Sequence, residues 1–423
     1  MNGWKTYKAE EFCLTVTDGT HDSPKPKTCG RYLITSKHLK PSGIDFSSAN
    51  KISEEDYNKI IQRSKVEQYD ILFSMIGTIG NIHRVTIPIV DFAVKNMGIF
   101  KMGGDAYRSL WMYYWLQSPE AKEYINSRVT GSTQGYLTLG NLRDFPIRVP
   151  SIEEQKKIVD ILSFLDDKIE VNRRINDNLE QQAQALYKQW FVDFEFPNEE
   201  GNPYKSSGGK MVDSEQGTIP NEWGIGRLED VGDIIGGGTP SKAVLDYYTK
   251  DGIAWITPKD LSITQTKFTS KGEIDITELG YSNSSTKIMP RGSVLFSSRA
   301  PIGYISIAKN EVCTNQGFKS VVPHNGHTAF IYYFLLTNTS NIESQASGST
   351  FKEASGALMK ALNIVIPSDS ILDAFEKIIS PIFDAQEKME EENLKLATLR
   401  DTLLPKLMNG ELSVNDVSTD LVC

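Results

Sequence analysis

The strongest constraint on the fold of this 423-residue chain is an internal duplication that spans most of its length. Short sequence anchors recur in the same order about 220 residues apart, far beyond the period of a solenoid repeat. The anchor pairs are Trp4 with Trp223, Phe73 with Phe296, Asn96 with Asn315, Gly131 with Gly348, and Pro150 with Pro367. Two copies of one unit predict two related domains, each followed by its own appendage.

The first part of each copy has the pattern of a mixed α+β domain. Short apolar runs at 71–73 and 294–296 are set among Gly, Pro, Asn and Ser, which is typical of strands joined by turns. Helices are predicted at 107–117 and 329–336. The sequence therefore predicts two α+β domains, at 1–150 and 223–367.

The second part of each copy predicts a long helix. Ser151 and Glu154 form a capping-box pattern, and no Gly or Pro follows before residue 192. Apolar residues then recur every seven positions, which is the signature of a coiled coil. The predicted seam residues are Ile158, Leu162, Leu165, Ile169, Asn172, Leu179 and Leu186 in the first helix, and Phe375, Ile379, Ile382, Met389, Asn393, Leu396 and Leu403 in the second.

The helices are predicted at 151–191 and 368–412, and each must bury its apolar stripe. Packing on each other satisfies both, and the residues alone permit either direction. We expect Pro381 to kink the second helix, and Pro405 and Gly410 to end it. Residues 192–222 are polar and rich in Gly and Ser, which predicts a linker, and 413–423 form a C-terminal tail.

Charge, apolar runs and cysteine content indicate which partners the protein can bind and in which compartment it works. The net charge of −9 is concentrated in 151–200 and 369–423, so the rest of the chain is neutral to basic and a nucleic-acid partner is not excluded. No apolar run is long enough to span a membrane, and no secretory signal is visible. The four cysteines form no CxxC pair, which predicts a reducing cytoplasm.

The sequence shows no catalytic constellation. The glycine-rich run 236–240 lacks the GK[ST] ending of a phosphate loop and is interpreted as a tight surface turn. His324 and His327 are the only close histidine pair and have no visible third ligand, so no metal site is predicted. The segment 202–204 resembles a truncated amino-methyltransferase motif but lacks a cofactor-binding glycine pattern. Clusters such as 390–392 are interpreted as solvated acidic faces.

Lys, Arg and short hydroxyl side chains suggest DNA contacts in both domains, with ordinary solvated turns as the alternative. Related stretches at 34–40 and 256–261 carry Thr and Lys at matching places, and Arg and Tyr can also contact bases. The candidates are Lys25, Lys27, Arg31, Thr35, Lys37, Lys40, Ser132, Thr133 and Tyr136 in the first domain, and Thr239, Thr257, Lys259, Arg299, Lys319, Ser349, Thr350 and Lys352 in the second.

The order of these parts resembles the specificity subunit of type I restriction-modification systems. The segments that carry the resemblance lie at 18–39, 186–197, 208–223, 236–261 and 399–412, and the likeness extends over nearly the whole chain. The family implies two target recognition domains, each reading one half of a split DNA sequence. It also implies that the two helices form an antiparallel coiled coil that spaces the halves with pseudo-twofold symmetry.

The resemblance further implies a non-catalytic DNA-binding subunit that recruits partners. Two modification subunits would bind S-adenosylmethionine and methylate adenine, and two translocase-nuclease subunits would use ATP and Mg, so this chain itself would bind no cofactor. Two alternatives remain from the residues alone. One is a self-sufficient methyltransferase or nuclease, and the other is a coiled-coil scaffold whose β-rich domains bind protein or glycan. Because the two domains diverge between their anchors, we expect an asymmetric DNA target.

Overall fold

A computed structural model describes residues 3–40, 43–131, 135–348 and 352–414. The described residues divide into two compact units. The first unit consists of the described residues within Met1–Glu170 and Leu394–Cys423, and the second unit consists of those within Val171–Asn393. Each unit contains one α+β domain and a stretch of each long helix, so the predicted α+β fold class with two related domains is confirmed.

The first domain is built on a four-stranded antiparallel sheet, with strands in the spatial order Thr15–Asp18, Met97–Lys101, Ile71–Ser74 and Ile82–Arg84. A second sheet places Lys51–Ile52, Arg31–Ile34 and Phe92–Val94 side by side, and its last pair is parallel. Smaller pairs are Lys5–Lys8 with Pro146–Val149 and Leu39–Lys40 with Gly43–Ile44. The helices are Ala9–Phe12, Glu54–Ser64, Ala106–Trp115, Pro119–Arg128 and Leu139–Arg143, with a 3₁₀ turn at Ser36–His38.

The second domain is built on a five-stranded sheet, with strands in the order Gly232–Gly236, Lys319–Pro323, Val294–Ser298, Ile302–Ala308 and Phe268–Thr269. Two-stranded pairs are Gly224–Arg227 with Asn363–Ile366, Tyr248–Thr249 with Asp275–Ile276, and the parallel pair Trp255–Ile256 with Cys313–Thr314. The helices are Leu228–Val231, Pro258–Thr264, Glu278–Ser282, Thr328–Gln345 and Gly356–Lys360, with 3₁₀ turns at Leu245–Tyr247 and His324–Gly326.

The two domains repeat one another in topology as well as in sequence. The first four strands of the larger sheet follow the same chain order as the four strands of the smaller one. The helix predicted at 107–117 is Ala106–Trp115, whereas the one predicted at 329–336 is longer and forms Thr328–Gln345. Large aromatic side chains such as Trp111 and Tyr333 are fully buried in the two cores. Each such side chain stabilises its domain by about 1.5–3 kcal/mol.

The two long helices follow the α+β domains. The first is Ile152–Tyr187, and it begins as its capping residue predicts, because Ser151 Oγ accepts a hydrogen bond from the backbone nitrogen of Glu154 at 3.3 Å. It continues into a π-helical turn at Lys188–Val192. The second is Asp369–Met408.

The prediction that Pro405 ends the second helix is wrong. The helix continues through Pro381 and Pro405 and ends at Met408, four residues before the predicted boundary. A proline removes one backbone hydrogen bond, and buried neighbours hold the helix where that bond is missing. Ile379 and Phe383 do so around Pro381, and Leu404 and Leu407 do so around Pro405. The chain leaves the helix at Gly410, whose φ of +76° favours glycine.

The helices pack on each other within each unit. In the first unit, Arg400 Nη1 lies 2.7 Å from Asp166 Oδ1. In the second unit, Asn172 contacts Asn393 at 3.0 Å, and Asn176 contacts the backbone oxygen of Gln386 at 3.4 Å. From Asn172 to Asn176 the chain of the first helix runs forward, while the contacted residues of the second helix go back from Asn393 to Gln386. The two helices are antiparallel in this unit, which resolves the direction that the residues alone left open.

The predicted seam residues are buried or partly buried. The fully buried ones are Ile158, Leu162, Leu165, Ile169, Asn172, Phe375, Ile379 and Leu403. The partly buried ones are Leu179, Leu186, Ile382, Met389, Asn393 and Leu396. In the first unit, Leu403 and Leu407 join the same apolar cluster as Ile158 and Leu162, so the helices extend the domain core.

The predicted linker is a folded segment. It forms an antiparallel hairpin of Met211–Ser214 and Gly217–Pro220. Ahead of the hairpin, the ring of Phe196 stacks on Tyr204 at 4.6 Å and on Trp223 at 4.9 Å, measured between centroids. Tyr204 is therefore part of an aromatic cluster, which explains the motif-like segment 202–204 without a cofactor.

The glycine-rich run is not the surface turn that the sequence predicts. Gly236 ends a strand, and Gly238 is buried. A Cβ on Gly237 would lie 1.9 Å from the backbone oxygen of Asn315, and one on Gly238 would lie 2.5 Å from the backbone nitrogen of Thr286. Glycine is required here because two backbone segments approach too closely for any side chain.

Candidate nucleic-acid interface

The stretch at 34–40 forms a tight turn at the end of a parallel strand pair in the first domain. Strand Arg31–Ile34 lies beside Phe92–Val94, and the chain turns directly after it. The backbone nitrogen of Thr35 donates to Nδ1 of His38 at 2.9 Å. His38 is buried, and burial lowers the pKa of its imidazole. A side chain three residues on thus closes the turn and leaves Lys37 exposed.

The stretch at 256–261 builds the same turn in the second domain. It follows strand Trp255–Ile256, which is parallel to Cys313–Thr314. The backbone nitrogen of Thr257 donates to Oδ2 of Asp260 at 2.7 Å, and its hydroxyl donates to the same oxygen at 2.6 Å. Asp260 therefore replaces His38 as the group that closes the turn. Lys37 and Lys259 occupy matching positions in the two domains.

Lys259 is exposed and has a partner. Its ammonium lies 2.6 Å from Oε2 of Glu273, and that carboxylate raises the pKa of Lys259. Both side chains are largely open to solvent, so the pair is held weakly. A phosphate could replace Glu273 at small cost.

A cleft of about 610 Å³ in the second domain brings three predicted site residues together. These are Thr239, Thr257 and Lys259. The cleft is also lined by Lys242 and Gln316, which the sequence analysis did not single out, and by apolar side chains. The apolar lining residues are Leu245, Tyr248, Trp255, Pro258 and Ile274.

Arg299, Lys319 and Lys352 do not line this cleft. Arg299 Nη1 and Lys319 Nζ share Glu353, at 3.3 and 3.5 Å. Lys352 donates to the backbone oxygen of Glu343 at 3.3 Å. Ser349 and Thr350 lie outside the described residues.

The predicted residues of the first domain that the structure describes are exposed or half-buried. Arg31 pairs with Glu54 at 2.9 Å and Asp91 at 3.3 Å. Tyr136 is 44 % exposed and pairs through its backbone with Thr130. Lys25, Lys27, Lys37 and Lys40 are exposed, Thr35 is half-buried, and Ser132 and Thr133 lie outside the described residues.

A buried charge cluster in the second unit has no signal in the sequence. The ammonium of Lys267 pairs with Glu180 and donates to Tyr333 Oη and Gln386 Oε1, each at 3.0 Å. It also lies 3.9 Å from the ring centroid of Phe383. Burial lowers the pKa of Lys267 to about 8, against the attraction of the nearby carboxylates. The cluster joins the second domain to both long helices.

The acidic segment of the second helix is bound to the second domain, contrary to the solvated face predicted for 390–392. The carboxylate of Glu390 accepts hydrogen bonds from the backbone nitrogens of Lys267 and Phe268 at 2.9 and 3.2 Å. Burial raises the pKa of Glu390. Glu391 pairs with Lys309. Nearby, Glu387 lies 2.6 Å from Arg291. These acidic side chains hold the domain on the helix.

The two clustered histidines contact different carboxylates. His324 lies 3.4 Å from Asp233, and His327 lies 2.9 Å from Asp373. In the described ranges, no three or more His, Cys, Asp and Glu side chains are grouped to hold a metal ion. No helix in the same ranges is long and apolar enough to cross a membrane.

Comparison with known proteins decides the family. The type I restriction modification DNA specificity domain matches the chain twice, at residues 2–181 and 220–398. The chain belongs to this family. The two matches coincide with the duplication, so each α+β domain with most of its following helix is one copy of the specificity domain.

Several specificity subunits are similar in sequence. The MjaIX specificity subunit of Methanocaldococcus jannaschii is 37% identical over 187 residues, which cover 44% of this chain and 43% of that protein. The HindI specificity subunit of Haemophilus influenzae is 28% identical over 356 residues, which cover 71% of this chain and 77% of that protein. The first alignment therefore spans less than half of the relative's length, whereas the second spans most of it.

A solved structure shares the fold. The S subunit of a type I restriction-modification system from M. genitalium superposes with a TM-score of 0.55 at 15% identity, covering 96% of each chain.

Specificity subunits are the non-catalytic members of their systems, which agrees with the prediction that this specificity subunit is not an enzyme. Family membership also argues against the alternatives of a self-sufficient methyltransferase and of a protein- or glycan-binding scaffold.

Proposed function

We propose that this specificity subunit reads a two-part, asymmetric DNA sequence, one half with each α+β domain. The observation that carries the proposal is the pair of matching turns at Thr35 and Thr257. The same backbone turn presents Lys37 in the first domain and Lys259 in the second, while the neighbouring side chains differ between the two domains. Family membership and the two matches to a DNA specificity domain support it.

The shared and the differing residues suit different tasks. Contacts to phosphate position a protein on DNA, whereas contacts to base edges carry sequence information. We assign Lys37 and Lys259 to phosphate, because both domains keep them. The turn itself is closed by His38 in one domain and by Asp260 in the other. Two domains with different surroundings at this place will read different bases.

The partners follow from the family. We propose that the specificity subunit assembles with two modification subunits, which bind S-adenosylmethionine, and with two translocase-nuclease subunits, which use ATP and Mg. The long helices are the element that we propose for this assembly. The free thiols Cys13, Cys29 and Cys313 suit a reducing cytoplasm, where we place the complex. Cys423 lies outside the described residues.

Gel-shift and methylation assays test this function together. The full chain, alone and with its modification subunits, is mixed with duplexes that carry or lack the target. We expect the complex to bind and methylate the target duplex, with affinity that falls as salt rises. We expect the chain alone to methylate nothing. Methylation by the chain alone, or equal binding to all duplexes, would contradict the proposal.

A further inference from the structure

Lys259, which we assign to phosphate, is exposed, whereas the interior of the cleft in the second domain is less suited to an anion. The hydroxyl of Thr257 is engaged by Asp260. The charged lining residues are Lys242, Lys259, Asp260 and Glu273, whose formal charges balance. The interior therefore favours a neutral group over an anion.

Apolar and aromatic side chains make up the walls of this cleft. Leu245 is 81 % exposed and Ile274 is 45 % exposed, so both present free apolar surface. The rings of Tyr248 and Trp255 lie edge to face, with centroids 5.9 Å apart. Such a surface binds flat heterocyclic rings, since bases stack on aromatic and apolar side chains with little regard to their identity.

Two polar side chains can recognise the edge of such a ring. The hydroxyl of Thr239 donates to Oε1 of Gln316. Within the described part of the chain, the amide nitrogen of exposed Gln316 makes no hydrogen bond to the protein. Amide side chains pair well with the donor and acceptor pattern of a base edge. The cleft thus combines apolar walls with an amide at its rim.

The frame around the cleft is firmly held. Trp255 Nε1 donates to the backbone oxygen of Gly238 at 3.0 Å. Tyr248 Oη donates to that of Pro240 at 2.6 Å, and Thr277 Oγ1 donates to that of Asp246 at 2.8 Å. Leu245, next to Asp246, is therefore an apolar side chain on a fixed turn.

We propose that this cleft binds a single base that has left the stack of the target duplex. Leu245 and Ile274 would contact its faces, and Gln316 would bond to its edge. Both faces of a stacked base are covered, so only an unstacked base can use apolar walls. The proposal rests on the proposed function, because it presumes that the second domain binds DNA.

Fluorescent base analogues test the proposal on the complex of this chain with its modification subunits. An analogue that pairs like the base it replaces, such as 2-aminopurine for adenine, is placed at each target position in turn. The methylated adenines are set aside, because a methyltransferase extrudes its own substrate base. We expect a several-fold rise in fluorescence at one further position.

Three variants locate the base. Leu245→Ala and Gln316→Ala should abolish the rise at that position and weaken target binding by about tenfold each. Ile263→Ala replaces another exposed aliphatic residue of the same domain that does not line the cleft, and it should leave the rise unchanged. The signal at the methylated adenines should survive in all three.

The outcomes separate this inference from the proposed function. Specific binding with no rise at any further position would overturn the inference and leave the function intact. A rise that persists in Leu245→Ala and Gln316→Ala, or that is lost equally in Ile263→Ala, would also overturn it. Failure of the wild-type complex to prefer its target duplex would overturn both.

Discussion

Asn172 Nδ2 lies 3.0 Å from Asn393 Oδ1, so a pair of side-chain amides joins the two long helices in the second unit. Asn172 is buried and also donates to Glu392 Oε2 at 2.7 Å. Both asparagines occupy seam positions that the seven-residue repeat predicts. A polar pair in an apolar seam lowers stability but favours one register of the helices.

Replacing both asparagines of this pair should cost less than the sum of the two single replacements. Asn172→Leu leaves the amide of Asn393 without its donor, and we expect a loss of about 1–3 kcal/mol in the free energy of unfolding. The double variant Asn172→Leu/Asn393→Leu should lose less than the two single losses combined. Denaturant unfolding of all four proteins measures the coupling. Additive losses would show that the two amides act independently.

In the first unit, Asp166 is the corresponding polar junction. Its carboxylate accepts a hydrogen bond from Tyr114 Oη at 2.7 Å and pairs with Arg400 at 2.7 Å. Asp166→Asn removes the charge opposite a half-buried guanidinium, so we expect a loss of about 1–2 kcal/mol in stability. Asp167→Asn, at an exposed neighbour, is the matched control. Equal thermal shifts in the two variants would contradict this role.

Lys267 should be among the most sensitive polar residues of the second unit. Lys267→Met leaves the carboxylates of Glu180 and Glu390 without their cation, which costs about 3–5 kcal/mol when a buried pair is broken. Adding Glu180→Gln should restore part of the loss. Lys250→Met, at an exposed lysine, should be close to neutral. Denaturant unfolding checks this, and a stable Lys267→Met single variant would refute the importance of the cluster.

The stability of the second unit should depend on pH through Glu376. Burial raises the pKa of this carboxyl from 4.5 to about 7, and the charge of Asp373 adds to the effect. The folded chain therefore binds this proton more tightly than the unfolded chain, so the contribution is present below pH 4.5 and is lost as pH rises towards 7.

Comparison with Glu376→Gln isolates this contribution. Between pH 4.5 and 7 the wild-type free energy of unfolding should fall relative to that of the variant, by on the order of 1–3 kcal/mol. Glu343→Gln, at an exposed carboxylate, should follow the wild type. Parallel curves for wild type and Glu376→Gln over this range would contradict the assignment.

The features that the sequence predicted are those carried by local pattern. Ser151 begins the first long helix because a capping residue acts on its own turn. Asn172 and Asn393 lie at the seam because the seven-residue period determines which side of a helix is buried. The turns at Thr35 and Thr257 match because their residues match. Periodicity and capping depend on residues close together in the chain, so a single sequence is enough to predict them.

The features that were missed depend on contacts distant in the chain. Gly237 tolerates no side chain because the backbone of Asn315 lies too close, and no local signal reveals that approach. Lys267 resembles any surface lysine until Glu180, Tyr333 and Gln386 surround it. Pro405 stays inside a helix because packing outweighs the lost hydrogen bond. Partners from elsewhere in the chain decided each of these cases.

The most direct test of the two-reader account is methylation mapping after a domain exchange. Residues 1–150 are replaced by the corresponding domain of a relative with a different target, and methylated adenines are mapped across a genome that expresses the complex. We predict that the wild type methylates one asymmetric two-part sequence and that the exchange changes one half while the other stays the same. A palindromic target, or an exchange that alters both halves, would contradict the account.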